Sequence, residues 1–474
     1  MRFRHVTVAA VGAALALAGC ARRPNVDAGE GPEPRGGVRP NDAGGLGDAT
    51  RVYQGMGLLA ASGPVPFVGS VAHLAGPTAD TTLVLVSLSL ANRSLTFTRD
   101  GDRFRAGYEV QLDLRQGSSV VRHVEAREAV RVPNFKETSR GDESIIFQQH
   151  LSVPPGQYVL SFAVRDAVGG KSATQESLVT VPRLAAGTLS SPVTALEVTP
   201  RTSTDSLPRL VASPRSTVAF GRDSLVTVYL EGYGTGTPGA SSTAGAAGTV
   251  LPVGVAVRGD QGGALWSDTV SLQWRGALFS GVINVPVSRL GVGITTLVAW
   301  RGDPAGGRDS SRMPLFVSFG DELPVASFED MLSYLRYFTT TQRLATLRAA
   351  RPDERATAWA TFTRETDPIP ATPQHEGLRD YFARVRTANE RFREEGTTGW
   401  LTDRGMVLVS LGEPDQIYEQ GGADVNQRGR AQVWEYRQHR LQLVLVDQTG
   451  FGRWRLTTSS EADLQTVLRR LQAR

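Results

Sequence analysis

Thr82-Leu83-Val84-Leu85-Val86-Ser87-Leu88-Ser89-Leu90 puts Val84, Val86, Leu88 and Leu90 on one face and Ser87 and Ser89 on the other. That is the two-residue period of a strand. The pattern spreads outward from there. Tyr108 to Leu114 alternates again, and Arg122 to Val132 carries a weaker run. Pro154-Pro155-Gly156-Gln157-Tyr158-Val159-Leu160-Ser161-Phe162-Ala163-Val164-Arg165-Asp166 reads as a turn followed by a strand. Ala167 to Gly170 supplies the next turn, and Ser177 to Val181 another strand. Residues 51–190 are therefore expected to form a β-sandwich.

The P-G-x-Y-x-L-x-x-x-V-x-D string at 155–166 resembles a late strand of an immunoglobulin-like or fibronectin-like sandwich. A second strand-rich block occupies 195–320, with period-two runs at Ser224 to Leu230, Leu251 to Val257, Asp268 to Trp274, Gly281 to Val287 and Thr295 to Arg301. Short strands between Gly, Pro and Asp turns predict a second sandwich. The Gly-rich stretch Gly232 to Gly248 is read as a loop, because no Lys-Ser/Thr opens a helix after it. Arg301-Gly302-Asp303 is read as a hairpin turn.

The period changes near 325. Phe328, Met331, Leu332, Leu335 and Phe338 recur at helical spacing, as do Tyr381, Val385, Ala388 and Phe392, and that second helix is expected to stop at Gly396. Met406 to Leu411, Ala431 to Tyr436, Leu441 to Val446 and Gly452 to Leu456 are expected as strands. Ser460 is expected to start a terminal helix capped with help from Asp463. The fold class is thus multidomain and mainly β: two immunoglobulin-like or fibronectin-like sandwiches, then a C-terminal α+β domain at 325–474 of helices and a small antiparallel sheet.

Composition excludes several chemistries. Of 51 basic residues only Lys136 and Lys171 are lysines; the Arg are spread along the chain beside 47 acidic residues. No basic block with interleaved aromatics suggests nucleic acid as a partner. His73, His123, His150, His375 and His439 stand alone, without H-E-x-x-H or a Cys partner, so neither metal nor cofactor is expected. No G-x-S-x-G presents a serine nucleophile.

Residues 399–405 read Gly399-Trp400-Leu401-Thr402-Asp403-Arg404-Gly405, and MVLVSLGEPD follows. With the D-P-x-P-x-T-P connector at 367–373, Val433-Trp434-Glu435-Tyr436, and Val446-Asp447-Gln448-Thr449-Gly450-Phe451-Gly452, the stretch resembles the GWxTD domain of bacterial envelope lipoproteins. The resemblance implies a class and a cellular address, with no established activity. A looser similarity, in the order L-G-x-P-D, W-x-Y and an apolar strand ending in Asp, links it to small outer-membrane assembly lipoproteins.

Physically, Gly399 can supply a positive φ that turns Trp400 off the preceding helix. Thr402 and Asp403 can bond nearby amides in a turn. Gly412, Pro414 and Asp415 would end a first strand. Trp434 and Tyr436 share a strand face and are expected to cluster with Trp400. Trp400, Asp403, Arg404 and Asp415 are candidates for the rim of a recognition groove, and Asp447 and Gly450 belong to the last turn of the motif. The competing reading gives all of these an architectural role.

The N-terminus carries the address. Arg2 and Arg4 precede an apolar run, Val8 to Ala18, too short to span a bilayer. Leu17-Ala18-Gly19-Cys20 then resembles the bacterial lipobox, and Cys20 is the sole cysteine. Residues 1–20 are expected to be a lipoprotein signal peptide, with Cys20 the acylated new N-terminus. The membrane is then a partner through two or three acyl chains, enough for stable anchoring. Ala21, where a retention signal places Asp, implies the outer membrane; the periplasmic face is the default, with surface display as the alternative. Residues 21–50, rich in Gly, Pro, Asp and Ala, are read as a flexible tether spanning on the order of 30 Å.

The functional expectation is a non-enzymatic, lipid-anchored envelope protein that binds or scaffolds a protein or glycan partner, with the C-terminal domain as recognition module. The alternative is a cell-wall hydrolase using Asp403 with a second carboxylate such as Asp415 or Glu435. A chaperone-like role toward outer-membrane proteins is a third.

Overall fold

The computed structural model describes residues 49–139, 145–219, 223–234, 249–259, 262–291, 293–302, 310–318, 328–351, 354–371, 375–394, 397–421 and 429–472. The signal segment, Cys20, nearly all of the tether, Asp303, most of the Gly-rich loop, the end of the 367–373 connector and Gly396 lie outside them.

The first β region opens with α1 (Ala49–Gly55) and continues with β1 (Leu59–Ala61), β2 (Phe67–Ala75), β3 (Thr82–Leu90), β4 (Thr98–Asp100), β5 (Arg103–Gln116) and β6 (Ser119–Val132). After α2 (Phe135–Thr138) come β7 (Ile145–Val153), β8 (Gly156–Asp166) and β9 (Ser172–Val181). One sheet runs β1-β2-β3-β7 and the other β4-β5-β8-β9, with β6 added on β5. Val84, Val86, Leu88 and Leu90 meet Val110, Leu112, Leu114, Leu160 and Phe162 in one core. At the start of β8 the Tyr158 hydroxyl donates to the Pro154 carbonyl at 2.8 Å.

All nine residues of β3 are buried, so its second face is covered too. Leu83 and Leu85 join Ala72 and Leu74 against Val193, Leu210, Ala212 and Tyr229 of the next β region. Ser87 pairs with the Ser70 hydroxyl at 3.0 Å, and Ser89 accepts from Arg215 Nε at 2.8 Å. The serine face is thus a hydrogen-bonded joint.

The second region contains β10 (Val193–Thr199), β11 (Arg209–Ala212), β12 (Thr217–Ala219), β13 (Leu225–Gly232), β14 (Val250–Arg258), β15 (Ala264–Trp274), β16 (Phe279–Pro286), β17 (Gly293–Trp300) and β18 (Ser310–Ser318). These strands form one continuous nine-stranded sheet in the order β11-β10-β13-β16-β15-β14-β17-β18-β12, where two separate sheets were expected. Val228, Val253, Val255, Ile283, Val285, Leu297 and Leu315 all turn into one core, so the sheet curls on itself. Each strand buries one face in either arrangement, which is why period-two patterning does not distinguish them.

A buried polar network joins the two β regions. The Glu231 carboxylate accepts from Arg201 Nε at 2.6 Å and Nη2 at 2.8 Å, and from the hydroxyls of Tyr229 and Tyr233, each at 2.6 Å. Arg201 also donates to the carbonyls of Ala75, Thr204 and Ser206, and the Ala75 amide donates to the Tyr233 hydroxyl. Arg201 and Glu231 side chains are 1% and 0% exposed. Burial, then the Glu231 charge, pushes the Tyr233 hydroxyl well above its ordinary range. Breaking a pair this deep typically costs roughly 3–5 kcal/mol, because the survivor is left charged and unpaired.

The C-terminal region contains α3 (Phe328–Tyr334), α4 (Thr341–Ala349), α5 (Arg355–Thr366), α6 (Glu376–Arg391), α7 (Asp403–Leu411), β19 (Gln416–Gly421), β20 (Arg430–Tyr436), β21 (Leu441–Asp447), β22 (Arg455–Leu456) and α8 (Thr458–Gln472). The sheet is antiparallel, ordered β19-β20-β21-β22. Its inner face, Trp434, Tyr436, Leu443 and Leu445, shares one core with Leu335, Trp359, Tyr381, Val385, Val407 and Leu464.

Two elements differ from the sequence expectation. Met406 to Leu411 is helical: Thr402 caps α7 by accepting from the Gly405 amide, a local signal that outweighs a short apolar run. The terminal helix starts two residues before Ser460. Thr457 accepts from the Ser460 amide, while the Ser460 hydroxyl accepts from the Val444 amide of β21 at 2.8 Å.

Burial holds the His73 imidazole down at about 4, and its Nε2 has no hydrogen-bond partner among the described residues. The unfolded chain therefore takes up this proton first, near pH 6.5. The stability contributed by neutral His73 is complete above pH 6.5 and falls as pH drops toward 4, by about 3 kcal/mol in all. Denaturant titrations at pH 7.5 and 4.5 should show this loss, and His73→Asn should shrink it.

Candidate functional site

Gly399 has no positive φ, contrary to expectation. It is glycine because a Cβ there would lie 2.1 Å from the Ala388 carbonyl oxygen of α6 and 2.7 Å from Asn389 Cα. Gly405 repeats the constraint one layer up: its Cβ would meet the Gly399 carbonyl oxygen at 1.9 Å. The backbones of α6, the 3-10 turn Gly399–Leu401 and α7 thus stack in direct contact. Between the glycines, Thr402 donates its hydroxyl to the Gly399 carbonyl at 2.7 Å and accepts from the Gly405 amide at 3.1 Å.

The stack drives Trp400 inward, to 1% exposure. Its amide donates to Asn389 Oδ1 at 3.0 Å. The indole lies 5.0 Å from the Tyr334 ring and 5.7 Å from Tyr337, with the Arg336 guanidinium 5.1 Å above it. Trp434 and Tyr436 share the hydrophobic core with Trp400, but the ring beside Trp434 is Phe392, at 5.7 Å. The three residues expected to cluster thus share one core, with Trp400 and Trp434 in separate ring groups and Tyr436 in no ring contact with a described residue.

Asp403 accepts from the Leu456 amide at 2.7 Å and so ties α7 to β22. Arg404 lies over Phe392 at 4.9 Å and Trp454 at 5.1 Å, Arg430 caps the other ring contact of Trp454 at 5.4 Å, and Arg391 sits 5.1 Å from Phe392. Cations and rings alternate in this ladder, each contact worth about 0.5–2 kcal/mol. Burial lowers the proton affinity of Arg404.

Arg391 is paired with Glu413 and Arg430 with Asp447. Although burial alone would raise it, the Asp447 carboxyl is held down at about 2 by Arg430, the Gly452 and Gly450 amides and the Thr449 hydroxyl. Gly450 is thus placed as a donor in that turn. Glu394, not singled out from sequence, is buried and accepts from the Trp454 amide and Arg455.

Gly412 ends α7 at φ +86°, where a glycine is the unstrained residue, and its carbonyl accepts from the Tyr436 hydroxyl at 3.0 Å. Pro414 lies in the connection to β19, so Gly412, Pro414 and Asp415 end a helix and not a strand. Asp415 accepts from the Arg437 amide at 2.7 Å. Trp400, Asp403, Arg404 and Asp415 accordingly do not rim one groove. Trp400 is sealed, and the two carboxylates serve separate backbone amides.

A concavity does exist elsewhere on the sheet. It has a volume of about 640 Å³ and lies between the β20–β21 turn, with Arg437, His439 and Arg440, and α8, with Asp463, Thr466 and Arg470. Tyr436, Leu441 and Val467 also line it. Sequence reading missed it because these residues are scattered surface charges until the hairpin and helix pack together. Among the described residues no cluster of His, Cys, Asp and Glu suits a metal ion.

The backbone stack predicts the outcome of one substitution. Gly405→Ala must push α7 away from the turn, at a cost of at least about 1–3 kcal/mol. Thermal denaturation should register the loss, with a red-shifted emission from the Trp400 environment.

No curated protein matches the chain. Among solved structures, the crystal structure of trypsin-activated alpha-2-macroglobulin from Escherichia coli is 14% identical, with a TM-score of 0.18. The match covers 55% of this chain and 17% of that one. Residues 309–445 match the family described as the GWxTD domain, and the chain carries that domain from β18 through most of β21.

Proposed function

We propose that this chain is a lipid-anchored envelope protein, acylated at Cys20 and held at the periplasmic face of the outer membrane, whose C-terminal region binds a partner without catalysing a reaction. The observation that carries the reading is the commitment of the motif's polar groups to backbone. Thr402 serves Gly399 and Gly405, Asp403 serves Leu456, Asp415 serves Arg437, and Asp447 serves Gly450 and Gly452. Carboxylates bound in this way are anchors; general acid–base work needs a group free to exchange its proton with a substrate.

The two β regions are the support for that module. We read the first as immunoglobulin-like. Its two facing sheets support this, as does the Tyr158 hydroxyl returning to the Pro154 carbonyl four residues upstream, the contact of a tyrosine corner. The buried Arg201–Glu231 joint makes the two β regions one stiff unit.

Two measurements test the proposal. Cys20→Ser should move the protein from the membrane to the soluble fraction; retention in the membrane would refute the anchor. Purified protein incubated with peptidoglycan should release no fragments, and Asp403→Asn should change stability alone. Release of fragments that Asp403→Asn abolishes in a folded protein would establish the hydrolase instead.

A further inference from the structure

We infer that the groove between the β20–β21 turn and α8 is an anion-binding site, taking a phosphate or carboxylate group carried by the ligand. The inference rests on reading this region as a binding module. Three arginines, Arg437, Arg440 and Arg470, and His439 line the groove, against Glu435 and Asp463. Glu435 is already engaged: it accepts from the Tyr418 hydroxyl at 3.2 Å and lies 3.9 Å from Arg437.

Several arginines of the C-terminal region are committed to ion pairs. Arg348 pairs with Glu329, Arg351 with Glu354, Arg379 with Asp380, Arg391 with Glu413, Arg430 with Asp447 and Arg455 with Glu394. Arg440 and Arg470, like Arg343, Arg364, Arg393 and Arg453, form no ion pair or side-chain hydrogen bond to a described residue; what sets these two apart is that both line the same concavity. Their planar forks match the paired oxygens of carboxylate and phosphate.

The backbone adds a second observation. Arg440 sits in the left-handed region, at φ 50° and ψ 47°, ending the 3-10 turn Arg437–His439. Only Ser216 shares a positive φ among the described non-glycine residues. Glycine or asparagine would hold this turn with less strain than arginine does. Its side chain meets no protein partner that would repay the strain; a ligand in the groove would. Asp463, on the α8 wall, adds an acceptor for a hydroxyl or amine next to the anionic group.

Isothermal titration calorimetry of the full chain at low ionic strength, with inorganic diphosphate and with tricarballylate as probes, tests the site. One-to-one binding is expected, weakened about tenfold or more by Arg440→Gly and by Arg470→Gln, as loss of a charge-assisted contact implies. Arg379→Gln, on α6, should bind as wild type does. Arg440→Gly should also melt at a higher temperature, since it relieves the turn while losing the ligand. The tighter of the two probes identifies the group recognised. Binding of neither probe, or binding unaffected by both substitutions, would overturn the site while leaving the peptidoglycan result to judge the module reading by itself. Fragment release in that assay would overturn the module reading even if the probes bind.

Discussion

Three layers of backbone in contact, α6, the Gly399 turn and the Gly405 turn of α7, set the geometry of the C-terminal region. A methyl group at either glycine would enter a carbonyl oxygen, so the spacing between these layers cannot widen without separating them. Everything distinctive about the motif follows from that approach. Trp400 has one direction left and enters the core. Thr402 is close enough to satisfy the carbonyl of one glycine and the amide of the other. Asp403, pointing away from the stack, meets the Leu456 amide and recruits β22. Arg404, on the next position of the helix, falls between Phe392 and Trp454.

The β regions solve a different problem by polar means. Glu231 is charged and sealed, a state that would cost several kcal/mol if its oxygens were left without donors. Each oxygen has two donors, and Arg201 reaches across to a carbonyl of the first region. Apolar contacts from Leu83 and Leu85 add area without fixing direction. Hydrogen bonds with narrow angular tolerance supply direction, so orientation between the regions is specified by the network and adhesion by the leucines.

Much of the fold was legible because burial leaves a periodic trace. The long strands and α6 lie where alternation and three-four spacing put them. The failures have physical causes. Met406 to Leu411 is six residues of apolar sequence, too short for period to decide, and the deciding signal was the Thr402 cap. β19 was missed because Ile417 and Tyr418 are both about half exposed and no apolar face marks the strand. The role of Gly399 was misassigned because a glycine for close approach and a glycine for positive φ are identical in sequence. The curled sheet of the second region was invisible for a related reason: curvature is a relation among strands, and no strand carries it alone.

Five arginines of the C-terminal region fall into three settings by what surrounds them. Arg391 and Arg430 stand at the ends of the ladder with a carboxylate on each, so their charge is spent on the fold. Arg404, between the rings, trades hydration for two aromatic faces. Arg440 and Arg470 do neither: they border a concavity, and one of them occupies a backbone conformation that disfavours any side chain beyond Cα. If stability alone governed that turn, glycine would hold it and the groove would lose a cation. The Gly399–Gly405 motif therefore builds the platform, while the far end of the sheet keeps Arg440 and Arg470 without a described ion-pair partner.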